Sequence, residues 1–204
     1  DLARPRRLPD LTPFDGVVHP MTTLTITGFA GSLSAPSRTR SLVEAAVDLA
    51  TQRFDAIGHV FDLNDLGPSL GAARHLGDLE PEALEHVTAL IRSDALVIAS
   101  PVHKGSYAGL FKHVFDLLDP GLLTGKPVLL AAVGGGDRHA LVIEHHLRPL
   151  FGFFEANTLA TGVYASDRDF AGTKLADETT RARLVRAVNQ FTPFLTSRAV
   201  SEPD

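Results

Sequence analysis

From Thr22 onward the chain alternates short apolar runs with longer segments in which apolar residues return every three or four positions. Leu24-Thr25-Ile26-Thr27-Gly28-Phe29-Ala30 reads as a first strand, and the helix after it carries Leu42, Val43, Ala46, Val47 and Ala50 on one face. His59-Val60-Phe61-Asp62-Leu63 reads as a shorter second strand. Residues 80–92 predict a helix with Leu84, Val87, Leu90 and Ile91 inward and Pro81 tolerated in its first turn. Residues 95–99 and 127–133 are continuous apolar runs, as in strands buried on both faces. Helices over about 109–118 and 138–151 follow them, and residues 158–164 supply a fifth strand. A last helix places Leu184, Val185, Val188 and Phe191 on one stripe, with Pro193 near its end. Five strands alternating with five helices predict an α/β fold of three layers, α/β/α, around a five-stranded parallel sheet.

A chain of 204 residues suffices for one domain with a substantial core. We expect that domain over 22–198, between an extension over 1–21 and a tail over 199–204. The extension sets Arg4, Arg6 and Arg7 among Pro5, Pro9, Pro13 and Pro20 and holds no sustained apolar block. It reads as a flexible arm rather than a secretory signal, with Met21 as the ordinary start. No apolar run approaches the roughly 20 residues that span a bilayer, so no membrane is expected. A net charge of −5 argues against coating nucleic acid. The absence of cysteine excludes disulfides, thiolate nucleophiles and thiolate-bound metal centres, and it suits the reducing cytoplasm, the expected location. No metal site is expected either: the neighbours His145 and His146 point in different directions on a helix, and no HExxH pattern is present.

Sheets of this kind bind ligands beyond the carboxyl ends of their strands, which selects the loops after strands one, three and four. The first is Gly31-Ser32-Leu33-Ser34-Ala35-Pro36-Ser37-Arg38-Thr39. Small residues, hydroxyls and free N–H groups at a helix start suit a terminal phosphate, with Arg38 as its cation. An ordinary polar turn with Ser37 capping the helix reads equally well from the loop alone. The third loop, Ser100-Pro101-Val102-His103-Lys104-Gly105-Ser106-Tyr107, offers an apolar and aromatic rim for a planar ring. His103 taken alone reads first as a surface histidine. The fourth loop begins Gly134-Gly135-Gly136-Asp137. Three glycines cost backbone entropy that a turn alone does not require, and N–H groups lying against a flavin's pyrimidine edge would use their thinness.

These loops, in this order, resemble the NADPH-dependent FMN reductase family, most closely its sulfonate-assimilation branch of two-component FMN reductases. The likeness spans about 22–197 and rests on Gly31-Ser32 with Ser37-Arg38, on Ser100-Pro101-Val102-His103-Lys104 with Gly109 and Lys112, and on Gly134-Gly135 with His139 and Leu147-Arg148-Pro149. It implies a flavodoxin-like fold and FMN phosphate on Ser32, Ser34, Ser37, Arg38 and Thr39. It implies an isoalloxazine ring held by Pro101, Val102, His103, Lys104 and Gly105 and by Gly134, Gly135, Gly136 and Asp137. Ser34 stands where family loops often carry Arg, and His103 where many members have Tyr. Glu144-His145-His146-Leu147-Arg148-Pro149 aligns with a stretch where sulfonate-branch reductases carry an inserted residue that widens the helix. By that likeness His145 lies at a subunit interface of a homo-oligomer, dimer or tetramer, and helps control flavin exchange; two exposed helix histidines are the plainer reading.

The activity implied is hydride transfer from NAD(P)H to FMN, with no catalytic acid, base or nucleophile assigned. Lys104, Arg138 and Arg168 are candidates for the NAD(P)H phosphates, against a reading as solvated charges. Reduced FMN would then serve a flavin-dependent monooxygenase. The alternatives are a reductase that retains FMN and passes electrons to a quinone, azo dye or metal oxyanion, and a flavodoxin-type electron carrier.

Overall fold

Strands that are apolar on both faces must be covered on both faces, and the fold follows from that requirement. The computed structural model describes residues 23–196; the expected extension, Met21 and the tail lie outside the described residues. β1 (Thr25–Ala30), β2 (Ile57–Asp62), β3 (Ala95–Pro101) and β4 (Pro127–Gly134) pair in parallel in the order β2-β1-β3-β4, with the fifth position beyond β4. This is the strand order of flavodoxin-like sheets, as expected.

Alternation along the buried strands divides the core. On β3, Leu96 and Ile98 face one side, and Ala95, Val97 and Ala99 face the other. The first side packs α2 (Pro81–Arg92) and α3 (Gly109–Asp116), the second α1 (Arg38–Phe54) and α5 (Glu178–Asn189). A chain of rings crosses the first side: Phe29 stacks on Phe61 and Phe111, which continues through Phe115 to Phe151. On the second side Gly28 admits α1, since a Cβ there would lie 2.4 Å from Val43 and 2.8 Å from Val47. The long link between β2 and α2, which lacks a clear period, folds as two short 3-10 turns that bury Leu66, Leu70, Leu76 and Leu79.

Two helix faces depart from expectation. In α5 the inward stripe is Thr180, Leu184, Ala187 and Val188, which leaves Val185 43% exposed on the flank. In α2 Ala83 is buried and Leu84 only half-buried at the margin of the core. Pro193 sits in the first turn of a separate short helix, α6 (Thr192–Leu195), rather than at the end of α5.

The fifth strand is not continuous. The expected run over 158–164 is two strands, β5 (Asn157–Thr158) and β6 (Val163–Ser166), both parallel to β4. Val128 pairs with Thr158 and Ala131 with Val163, so residues 159–162 bulge opposite Leu129 and Leu130. Polar side chains take up the backbone groups that the bulge releases. Arg148 donates to Thr158 Oγ1 at 2.9 Å and to Leu159 O at 3.0 Å, and Arg183 donates to Gly162 O at 2.6 Å. Gln190 accepts from Thr161 N at 2.9 Å and donates to Thr161 Oγ1 at 2.8 Å.

The helix expected over 138–151 is likewise interrupted. A 3-10 turn (Asp137–His139) precedes a π-helical turn (Ile143–Leu147), and only then comes α4 (Arg148–Phe153). The widening suggested by the Glu144-His145-His146 stretch therefore exists. It is tied to the bulge: Arg148 grips Glu144 at 2.6 and 2.9 Å, and a Cβ on Gly162 would lie 2.6 Å from Ile143. These hydrogen bonds, helped by the Arg148 charge and opposed by burial, hold the Glu144 carboxyl below the ordinary value.

At the β2 edge His59 Nε2 shares a hydrogen bond with His86 Nδ1 at 2.9 Å. Burial, and next the charge of His86, push the His59 imidazole below its ordinary pKa. Unfolding restores the ordinary value, so as pH falls the unfolded chain takes up the proton first. The associated stability is complete above a pH of about 6.5 and is lost as pH falls toward the depressed folded value. We expect Tm to drop as pH falls below about 6.5, and to drop less steeply in His59→Gln; equal slopes in the two proteins would refute the assignment.

Candidate functional site

Neighbouring strands ending in register set the three selected loops side by side. Ala30 pairs with Ala99 and Pro101 with Val133, and the pairing runs on into the loops through Gly31 N–H to Ala99 O and Val102 N–H to Val133 O, both 2.8 Å. β1 and β4 both border β3, so the first, third and fourth loops form one continuous rim at the carboxyl edge of the sheet.

In the first loop, Gly31 is required by packing, because a Cβ would lie 2.5 Å from Phe111. Ser32 is buried and its hydroxyl accepts from Ser34 N at 3.2 Å. Ser37 caps α1, accepting from Arg40 N at 3.1 Å, so the plainer reading of that hydroxyl holds. The cap leaves donors over: among the described residues, the N–H groups of Ser37, Arg38 and Thr39 meet no acceptor in the chain. Three N–H groups converging at the start of a 17-residue helix, with Arg38 beside them, fit an anion. The next cation, Arg40, is committed to structure. It bridges Asp62 at 3.0 Å, Asp65 at 2.7 Å and Glu44 at 3.0 Å, pinning the start of α1 to the end of β2. Burial opposes the Arg40 charge, but its bonds to these three carboxylates outweigh that and raise its pKa.

The Arg38 guanidinium is itself engaged outside the first loop. Its Nη1 pairs with Asp167 at 2.7 Å, its Nε donates to Gly172 O at 3.1 Å, and its guanidinium lies 5.9 Å from the centroid of Phe170. These partners belong to a segment whose sequence pattern predicts no element: a 3-10 turn (Asp167–Asp169) after β6, then a two-stranded hairpin of β7 (Phe170–Ala171) and β8 (Lys174–Leu175). Gly172 at a φ of 65° was its one turn signal.

The third loop closes on itself. His103 and Ser106 exchange backbone hydrogen bonds at 2.8 and 3.1 Å, with Lys104 and Gly105 at positive φ as the tight turn. His103, Lys104 and Gly105 are exposed, whereas Pro101 and Val102 are half-buried. The π turn meets this loop through His146, whose Nδ1 lies 3.0 Å from Ser106 Oγ and whose ring stands T-shaped to Tyr107. His145 is exposed.

The glycines of the fourth loop differ in their reasons. A Cβ on Gly134 would lie 2.1 Å from the Tyr164 hydroxyl, so packing against a protein ring is enough to require this glycine. Tyr164 in turn donates to Gly136 O, and burial first, then Asp137, Asp167 and Asp169, keep its phenol protonated well past the ordinary value. Gly136 has nothing within 4 Å of a Cβ, and Gly135 only Asp167 Oδ2 at 4.0 Å. No packing demand explains this second pair, which suits close approach of a flat ligand to the backbone. Arg168 spans to Asp137 at 2.6 Å, tying the fourth loop to the turn after β6.

A family model described as NADPH-dependent FMN reductase matches residues 24–171. The chain belongs to that family. It is 42% identical over 171 residues to the NADH-dependent FMN reductase SfnF of Pseudomonas fluorescens (strain Pf0-1), across 84% of this chain and 91% of that one. It is 42% identical over 176 residues to FMN reductase (NADPH) of Pseudomonas aeruginosa, across 85% and 94% of the two chains. Among solved structures it is similar to an oxidoreductase from Corynebacterium diphtheriae, with a TM-score of 0.72, 34% identity, and coverage of 86% of this chain and 98% of that one.

The glycine contacts give a paired expectation. Gly134→Ala forces the Tyr164 ring aside and should destabilise the fold by about 1–3 kcal/mol, read as a lower Tm. Gly136→Ala should leave Tm unchanged. The assignment fails if thermal melts rank the two variants the other way.

Proposed function

We propose that the three-loop rim holds FMN and that this NAD(P)H-dependent FMN reductase supplies reduced FMN to a flavin-dependent monooxygenase. The observation that carries the site reading is the set of open N–H donors at Ser37, Arg38 and Thr39, on the same sheet edge as the unpacked backbone of Gly135 and Gly136. The phosphate falls to Ser32, Ser34, Ser37, Arg38 and Thr39. The ring falls to Pro101, Val102, His103, Lys104 and Gly105 on one side and to Gly134, Gly135, Gly136 and Asp137 on the other. Held by these residues, FMN would supply the acceptor for a hydride from NAD(P)H, and that chemistry would be the cofactors' own. The chain's residues orient the rings and exclude water, and proximity accounts for most of the acceleration.

Release of the product to a monooxygenase is supported by relatives named SfnF and by the phosphate cation's engagement elsewhere in the fold. A homo-oligomer with His145 at its interface is supported by Leu141 and Phe153, large apolar side chains exposed on either side of the π turn. No helix among the described residues is long and apolar enough to cross a membrane. A cytoplasmic location is favoured by the lack of cysteine.

Steady-state oxidation of NADH and NADPH, with and without FMN, FAD or riboflavin, tests the activity. FMN should be reduced in preference to riboflavin, and no turnover with any flavin would overturn the reading. Ser37→Ala combined with Arg38→Ala should raise the FMN Kd at least about tenfold, the scale of losing charge-assisted phosphate bonds. Gly136→Ala should also raise it, through the backbone approach rather than the phosphate. Unchanged affinity in both proteins would remove these loops from the site.

A further inference from the structure

The cation nearest the α1 amino end is already spoken for. Of the Arg38 donors, Nη1 faces the Asp167 carboxylate at 2.7 Å and Nε faces the Gly172 carbonyl at 3.1 Å, while Phe170 underlies the group. The helix that Arg38 begins presents its open N–H groups at the same corner of the fold. A phosphate at those N–H groups and the Asp167 carboxylate therefore draw on one guanidinium. Among the described residues Asp167 has no second cation at salt-bridge distance: Arg168, its chain neighbour, pairs with Asp137 at 2.6 Å and approaches Asp169 at 3.9 Å. Nor does the Asp167 carboxylate cap the turn it begins, to which the residue gives only its backbone carbonyl. There Ser166 donates from its N–H and its hydroxyl to the Asp169 carboxylate, at 2.7 and 3.2 Å.

We propose that Asp167 is an affinity-setting residue for FMN, a built-in carboxylate competitor that weakens the hold of Arg38 on the FMN phosphate. The proposal rests on the reading that the first loop takes that phosphate. The physics is a competition between two anions for one cation. At pH 7 a phosphate monoester carries a charge of about −1.5 to −2 and outbids a single carboxylate. The carboxylate nevertheless lowers the net gain, because binding must first release the Arg38–Asp167 pair or share its charge. Both side chains are partly exposed, at 39% and 55%, so the competition is mild and screened by salt. Mild competition suits a reductase that must bind FMN and then let the reduced form leave. A pair buried away from water would either block the site or lock Arg38 for good.

The test is a double-mutant cycle read by flavin-fluorescence titration of FMN and riboflavin at low and high salt, with Tm recorded for each variant. Asp167→Asn keeps size and polarity and removes the charge. It should tighten FMN about three- to fivefold, the range of an exposed ion pair, and leave riboflavin unchanged. Arg38→Met alone should weaken FMN about tenfold or more. In the Arg38→Met background, Asp167→Asn should leave the FMN Kd where it is. If Asp167→Asn tightens FMN equally in both backgrounds, the effect is bulk charge repulsion and the proposal is wrong. If it weakens FMN, Asp167 positions Arg38 for the phosphate and the proposal is also wrong. If Arg38→Met has no effect on FMN, the first-loop reading itself falls. Weakening by Arg38→Met without tightening by Asp167→Asn overturns only the competitor.

Discussion

Parallel pairing of strands buried on both faces is the constraint from which the rest of this protein derives. Every backbone group inside such a sheet is paired, and every side chain is covered by helix, so neither face can receive a ligand. Open backbone donors survive only where the strands end. Here the ends of β1, β3 and β4 fall in register, through Ala30 with Ala99 and Pro101 with Val133. That alignment gathers three loops, distant in sequence, into one rim. The rim itself is therefore a consequence of how the sheet pairs its own backbone.

The fifth strand shows what happens where that closure fails locally. Residues 159–162 exceed what β4 can pair, and Arg148, Arg183 and Gln190 take over. Arg148 reaches the bulge from the end of the π turn and holds Glu144 within it. The π turn reaches the third loop through His146 and Ser106. A run of polar contacts thus joins the edge of the sheet to the rim. The widened helix and the bulge are two sides of one accommodation, with Gly162 thin enough to admit Ile143 between them.

Around the fourth loop, charge is balanced rather than concentrated. Arg38 and Arg168 face Asp137, Asp167 and Asp169 across the rim, so neither arginine stands as an unpaired cation. Such an arrangement holds cationic groups in place without a strong net field.

The periodicity of the chain was enough to determine the layers, the strand order's parallel character and the rim's three loops, because buried strands and amphipathic helices announce themselves within a short window. Gly31-Ser32, Ser37-Arg38, Pro101 and the triple glycine were legible for the same reason: turn chemistry is local. The partners of those residues were not. That Gly134 answers to Tyr164, that Arg38 turns to Asp167 and Gly172, and that His146 meets the third loop depend on contacts across 30, 129, 134 and 40 positions of chain. The break in the fifth strand and the exposure of Val185 have the same origin. Sequence specifies which face a residue can occupy, but only the packed neighbours decide whether a glycine is thin for a ring or for a ligand, and whether an arginine's charge is free or already matched.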